Sequence, residues 1–291
     1  MQTKCDITGK AMLVNFKVSL WTAAKQDKNL SNESADLHKA DRTLIRTTRS
    51  LLEKSALEEV RKVASRARTD HYQYTLPWLD DGSRILSAPG FLKYAEIMRA
   101  HQDKFDQAVN EFVRQYPDLV DDARRRLNGL FNPAEYPDVS DMKQRFGIGF
   151  NLLPFPDARD FRVDLNQADV ELIRRNIEAS TQAAIAEANR DIWNRAAIVV
   201  SHMVEKLRGY VVTTEGISHP FRDTLVTNIE ELVNLIPLLN ITEDAEIARL
   251  ATTMQAELTR NSAETLRLSD TTRAQVADTA EQILAHIEAY I

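Results

Sequence analysis

The stretch LNQADVELIRRNIEASTQAAIAEANRDIWNRAAIVVSHMVEKL, residues 165–207, decides how the rest of the chain is read. It holds neither proline nor glycine. Val170, Ile173, Ile177, Ala184, Ile192 and Val199 recur at helical spacing, with Asp164 or Asn166 as the expected cap. Such a helix is about 65 Å long at 1.5 Å per residue. One compact domain of 291 residues does not need so long an element. The stretch therefore predicts an elongated, helix-built protein with an exposed shaft, suited to a spacer, scaffold or docking surface.

Downstream the pattern stays helical. Gly209 and Gly216 close the shaft, and Pro220 suits a first helical turn. Phe221, Leu225, Ile229, Leu232 and Ile236 form an apolar face that stops near Pro237. Thr242, Glu243 and Asp244 mark a new start, because acidic groups favour the positive end of a helix dipole. Ile247, Leu250, Met254 and Leu258 continue it, and Asp270 is the expected cap of a last helix through Val276, Ala280, Ile283 and Ile287.

Upstream, β signals interrupt the helices. Met12, Val14, Phe16, Val18 and Leu20 alternate with polar residues and predict a strand over 11–21, followed by a polar stretch. Leu37, Leu44, Ile45, Leu51, Leu52, Val60 and Val63 recur at helical spacing and predict one helix over 32–70, capped by Ser31 or Ser34. Tyr72, Tyr74, Leu76 and Trp78 then alternate, and Asp80-Asp81-Gly82 signals a turn. The result is a hairpin over 71–88, with Pro77 at an edge or strand end. Tyr94, Met98, Phe105, Val109, Phe112 and Tyr116 predict a helix from 91 that Pro117 breaks, with a short helix on to 130. Phe146, Ile148, Phe150 and Leu152, and then Phe161, Val163 and Leu165, make a second β segment over 146–163.

The expected fold class is mainly α with a small β unit: an elongated helical bundle or coiled-coil shaft carrying a short antiparallel β tip. Residues 1–291 read as a single elongated domain. Segments 32–70, 91–130 and 165–291 form the helical body. Segments 71–88 and 146–163 form the β unit, with 11–21 as a candidate addition.

Bulk chemistry excludes several classes. Glycine is scarce, at 8 residues, which disfavours phosphate-cradling loops and all-β folds. A net charge of −6 gives no global drive toward nucleic acid. The charge is uneven, however: residues 1–70 carry 14 Lys/Arg against 9 Asp/Glu, and residues 241–291 carry 4 against 9. Either these ends steer against each other within the chain, or they serve association and partner binding. Cys5 is the only cysteine, so an internal disulfide is impossible. Asn15 and Lys17 break the one N-terminal apolar stretch that could suggest a signal peptide. The apolar run at 196–204 is too short to span a bilayer.

Chemical motifs are equally sparse. No glycine precedes Lys-Ser or Lys-Thr, and Gly147-Ile148-Gly149 lies in a strand pattern without a third glycine. The six histidines are scattered, so neither a metal nor another cofactor is expected. His202, inside an apolar run, reads as a core histidine. The acid pairs Asp80-Asp81, Asp121-Asp122 and Glu230-Glu231 read as a turn and as solvated helix faces. Two groups carry sharper hypotheses. Tyr72, Tyr74, Trp78 and Arg84, beside His71, form either the buried face of a small sheet or a partner-binding tip. Arg42, Arg46, Arg49, Arg61, Lys62, Arg66 and Arg68, with the run Arg124, Arg125 and Arg126, are candidates for binding nucleic acid or an acidic partner. The run can equally pair with nearby aspartates. The apolar 232–241 segment around Pro237 is a candidate membrane-inserting turn.

Val18-Ser-Leu-Trp21, Lys25-Gln-Asp27, Thr75-Leu-Pro-Trp78, Asp81-Gly-Ser-Arg-Ile-Leu86, Leu153-Pro154 and Asp160-Phe-Arg-Val163 carry a resemblance. Over about residues 12–210 the chain resembles an uncharacterised domain family of phages and integrative elements. Members are often encoded beside AAA+ ATPases similar to MoxR or the cobaltochelatase small subunit. The resemblance implies a cytoplasmic mobile-element protein of a bacterial host, an adaptor or substrate for a remodelling ATPase, and carries over no catalytic residue. Together these readings lead to a non-enzymatic scaffold or adaptor with a protein partner, or a homo-oligomer formed where the long helical stripe is covered by another copy. The alternatives are a nucleic-acid-binding accessory protein of phage replication or recombination, and a membrane-active, pore-forming-like helical protein.

Overall fold

The structure, a computed structural model, describes residues 7, 9–79, 82–156, 167–214 and 216–291. Cys5, Asp80-Asp81, the Phe161/Val163/Leu165 alternation, the 160–163 part of the resemblance, and the caps Asp164 and Asn166 lie outside the described residues. The chain is mainly α with a small antiparallel β component. Its first half holds β1 (Ala11–Ser19), β2 (Ala24–Asp27), α1 (Lys28–Leu37), β3 (Thr47–Ser50), α2 (Glu58–Gln73), β4 (Leu76–Pro77) and β5 (Ser83–Ser87). Then come α3 (Phe91–Leu127), α4 (Val139–Met142), β6 (Gly147–Leu153), α5 (Gln167–Gly209), β7 (Val211–Thr213) and β8 (Gly216–Ser218). The C-terminal part is helical: α6 (Thr224–Leu239), α7 (Ala245–Leu258), α8 (Ala263–Leu268) and α9 (Asp270–Glu288). Where the sequence suggests one domain, the chain divides into two compact units. The larger comprises Met1–Asn15, Tyr72–Tyr94 and Asn151–Ile291, and the smaller Phe16–His71 and Ala95–Phe150.

The larger unit is built on α5, whose C-terminal end the unbroken apolar period predicts to within two residues; its expected start at 165 lies outside the described residues. Only its second half is a core element. Ala184, Ala188, Ile192, Trp193, Ala196, Val200, Met203 and Leu207 are buried, whereas 167–183 contains no buried side chain. The expected exposed shaft is thus half right. α9 and α6 pack along α5, and α7 packs on α6 and α9. Trp193 stacks on Tyr290 with ring centroids 4.2 Å apart. Leu13 of β1, Leu76 of β4 and Ile85 of β5 join the same core.

Strands run in the order β4-β5-β1-β6, with Ala11 opposite Ser87 and Leu76 opposite Ile85 in antiparallel register. Pro77 ends a two-residue strand at the sheet edge, as its missing N–H requires. Two readings shift: Pro220 precedes α6 rather than opening it, and Ser269 rather than Asp270 caps α9. β7, β8 and α8 are too short to show a period. Segment 232–241 packs inward: Leu232, Val233, Leu235, Ile236, Leu239 and Ile241 are buried in the core. Among the described residues, no helix is long and apolar enough to cross a membrane.

The smaller unit overturns the expected 32–70 helix. Asp27 caps α1 by accepting from the Asn29 and Leu30 amides, and Lys39 adopts φ 51°, which ends the helix. Asp41 then holds a turn by accepting from the Thr43 amide and hydroxyl. The β-branched run Thr43, Ile45, Thr47 and Thr48 favours extended backbone. Thr47 to Ser50 accordingly pair with Asp27 to Ala24 as the β2–β3 hairpin. Ser31, expected as a cap, is instead buried; it accepts from the Thr47 amide and donates to the Asp27 carbonyl. Leu37 and Leu44, two residues of the apparent apolar stripe, are 79% and 80% exposed.

α3 runs straight through Pro117, against expectation. Phe105, Val109, Phe112, Tyr116 and Ala123 are all buried in one core with Trp21, Met142 and Phe146, so both halves of α3 are pinned on the same side. This burial outweighs the lost helical hydrogen bond and ring clash, roughly 3 kcal/mol for an interior proline. Pro117→Ala is therefore expected to stabilise the protein by about 1–3 kcal/mol in urea unfolding. A loss of stability would show that the proline is itself required.

Candidate functional site

The aromatic group beside the hairpin resolves into residues with different tasks. α2 ends at Gln73, so Tyr72 lies on a helix and not on a strand. A helix end leaves carbonyls without partners. Here Arg195 of α5 supplies them: Nη1 donates to the Gln73 carbonyl at 2.7 Å, and Nη2 to the Tyr72 and Thr75 carbonyls at 3.0 and 2.7 Å. Asp191, one turn earlier on α5, pairs with Arg195 at 2.7 Å. Arg84 of β5 donates from Nε to the Thr75 hydroxyl at 2.7 Å and from Nη2 to the Thr75 carbonyl at 3.1 Å. Its guanidinium covers the Tyr72 ring, 4.7 Å from the centroid. Burial, and then the neighbouring Arg195 charge, lower the Arg84 pKa from the ordinary arginine value. Tyr72 and Arg84 thus fasten the end of α2 to β5.

Tyr74 and Trp78 are half-buried against the core of the larger unit, and Trp78 meets Phe155 edge-on at 5.0 Å. His71 is buried and stacked on Phe16 at 5.0 Å. A free basic-aromatic stacking platform is not what these residues form. What Trp78 does build is a groove. With Leu79, Pro156 and Ile173, Asn176, Ile177, Ser180 and Thr181 of α5, it lines an open depression of about 310 Å³. The lining is mainly apolar, and it uses the half of α5 that contributes no residue to the core.

Most of the basic candidates have partners. Arg42 makes a bidentate pair with Asp36, Lys62 pairs with Glu59, and Arg61 donates to the Thr22 carbonyl. Arg49, only 10% exposed at its side chain, pairs with Asp27 at 3.3 Å and Glu135 at 2.7 Å. Arg124, Arg125 and Arg126 pair with Asp121, Asp122, and both Asp122 and Glu53, so the local-pairing reading of that run holds. Arg42, Arg46 and Arg49 form no helical stripe: a turn separates Arg42 from the strand that carries Arg49. Among the described residues, no carboxylate lies within 4 Å of Arg46, Arg66 or Arg68. The smaller unit carries 20 Lys/Arg against 18 Asp/Glu, too balanced for a strong positive field.

His202 is exposed on α5, not a core histidine. Sequence reasoning missed the part-buried pair of His101 with Asp70, at 2.6 Å between Nε2 and Oδ2. Among the described residues, no three His, Cys, Asp or Glu side chains come together as a metal site. The sequence also gave no notice of Arg195, whose acceptors lie more than a hundred positions away. Arg174 did leave a signal, as a charged residue beside the apolar stripe of Ile173 and Ile177. No family model, curated protein or solved structure matches the chain.

Proposed function

We propose that the chain is a non-enzymatic helical scaffold or adaptor that engages a protein partner through the groove beside Trp78. The groove carries this reading. Apolar side chains from the end of the hairpin, from Pro156 and from the half of α5 outside the core converge there on the surface. Apolar surface left uncovered beside a rigid helix favours association with another polypeptide. α5 suits the task mechanically, because Ala184 to Leu207 anchors one half in the core while 167–183 presents its stripe. The resemblance to mobile-element proteins adds the partner class, a ring ATPase of the AAA+ type in a bacterial cytoplasm. A second copy of the chain is the competing occupant.

The test places a photo-crosslinking amino acid at Asn176 in the full chain, expressed with its genomic neighbours. The expected result is one predominant crosslinked protein, an ATPase whose yield changes with ATP. Crosslinks confined to a second copy would replace the adaptor reading with self-assembly. No crosslink to any protein would remove the groove as a binding site.

A further inference from the structure

Resting on the groove reading, the geometry points to the chemistry of the partner: an amphipathic segment that sets a bulky apolar side chain between Trp78 and Ile177 and an aspartate or glutamate against Arg174. On α5, Val170, Ile173, Arg174, Ile177 and Thr181 are half-buried, while the residues between them are exposed. These positions follow the helical period, so Arg174 shares a face with the groove-lining Ile173 and Ile177. Its Nε is buried and has no hydrogen-bond acceptor. Among the described residues, no carboxylate stands within 4 Å of the Arg174 guanidinium. Arg175, one position on, differs: it is exposed, and its Nε donates to the Glu171 carbonyl at 3.4 Å.

A buried guanidinium N–H without an acceptor is costly, and the cost falls when a ligand supplies one. The planar fork of arginine matches a carboxylate in two parallel hydrogen bonds. Among the described residues, an apolar depression with Arg174 on the same helix face as its lining favours an acidic–apolar surface. It offers nothing to a polyanion, which needs several cations along its track. The stripe repeats at helical intervals along an open groove, so the partner segment is an amphipathic helix laid beside α5.

The immobilised full chain would be panned against a phage-displayed library of random peptides, and selected peptides measured in solution against variants. Enriched peptides are expected to combine bulky apolar residues with Asp or Glu within one helical turn. Arg174→Gln should weaken them about tenfold and Arg174→Lys less, since the charge remains. Ile177→Asp should abolish binding, with helicity by circular dichroism confirming that each variant folds. Apolar peptides that lose binding with Ile177→Asp but ignore Arg174→Gln would overturn this inference and leave the groove reading standing. A basic or charge-free consensus would do the same. Peptides indifferent to both variants, or no enrichment at all, would overturn both.

Discussion

Arg195→Met is expected to destabilise the larger unit by about 3–5 kcal/mol in urea unfolding, among the largest effects of any single substitution here. Methionine keeps most of the aliphatic stem and removes every donor. The carbonyls of Tyr72, Gln73 and Thr75 then lose the Arg195 donors, while that of Thr75 keeps Arg84 Nη2. Each unsatisfied carbonyl costs about 1–3 kcal/mol when water cannot replace the donor, and the three are not additive because partial solvation is shared. Asp191 also loses its partner in a part-buried setting. Hydrogen exchange should accelerate over residues 72–78, the segment Arg195 fastens. Arg195→Lys should recover only a minor part, since one ammonium cannot reach three carbonyls in the same plane. Because Trp78 lies on the fastened segment, Arg195→Met should also weaken any groove ligand without touching it. Stability within about 1 kcal/mol of the parent would mean that water already serves these carbonyls.

This link between α5 and the end of α2 shows where sequence reading reaches its limit. α5 itself was legible because its apolar period runs uninterrupted, and the breaker-free stretch leaves no competing local structure. The α7 start was legible for a local reason, with Asp244 capping α7 by accepting from the Glu246 and Ile247 amides. The 32–70 segment misled because spacing alone does not say which apolar residues become buried. Leu37 and Leu44 fit a helical stripe and stay in water, while the threonines around them set up a strand. Pro117 misled in the opposite sense, since a local rule lost to the core around Phe112 and Tyr116.

The candidate site divides in the same way. Trp78 was visible as an aromatic of the expected hairpin; it follows β4 rather than lying on it, and it lines the groove. Its companions Tyr72 and Arg84 were visible as residue types, but their commitment to each other and to Thr75 depends on the end of α2 meeting β5. Charges can be counted from the sequence, but an arginine's partner is a property of the fold. Glu135 lies 86 positions from Arg49, and Glu53 lies 73 from Arg126.

Arg49 therefore carries the second large prediction. Its side chain and those of Asp27 and Glu135 are 10%, 14% and 12% exposed, so this is a buried network rather than a surface pair. Asp27 uses one oxygen to cap α1 and the other to meet Arg49, which ties the helix start to the β2–β3 hairpin. Arg49→Met leaves two carboxylates in a poorly hydrated site with, among the described residues, Lys25, 3.8 Å from Glu135, for compensation. Removing one partner of such a network costs about 3–5 kcal/mol. The loss should appear as a lower urea midpoint with faster exchange over residues 24–50. Adding Glu135→Gln to Arg49→Met should restore part of it, because the second substitution removes an orphaned charge. Were Arg49 instead a nucleic-acid contact, Arg49→Met would leave stability unchanged and weaken DNA retention in low salt. The two outcomes separate a residue that holds the fold from one that serves the surface, and the burial of all three side chains favours the first.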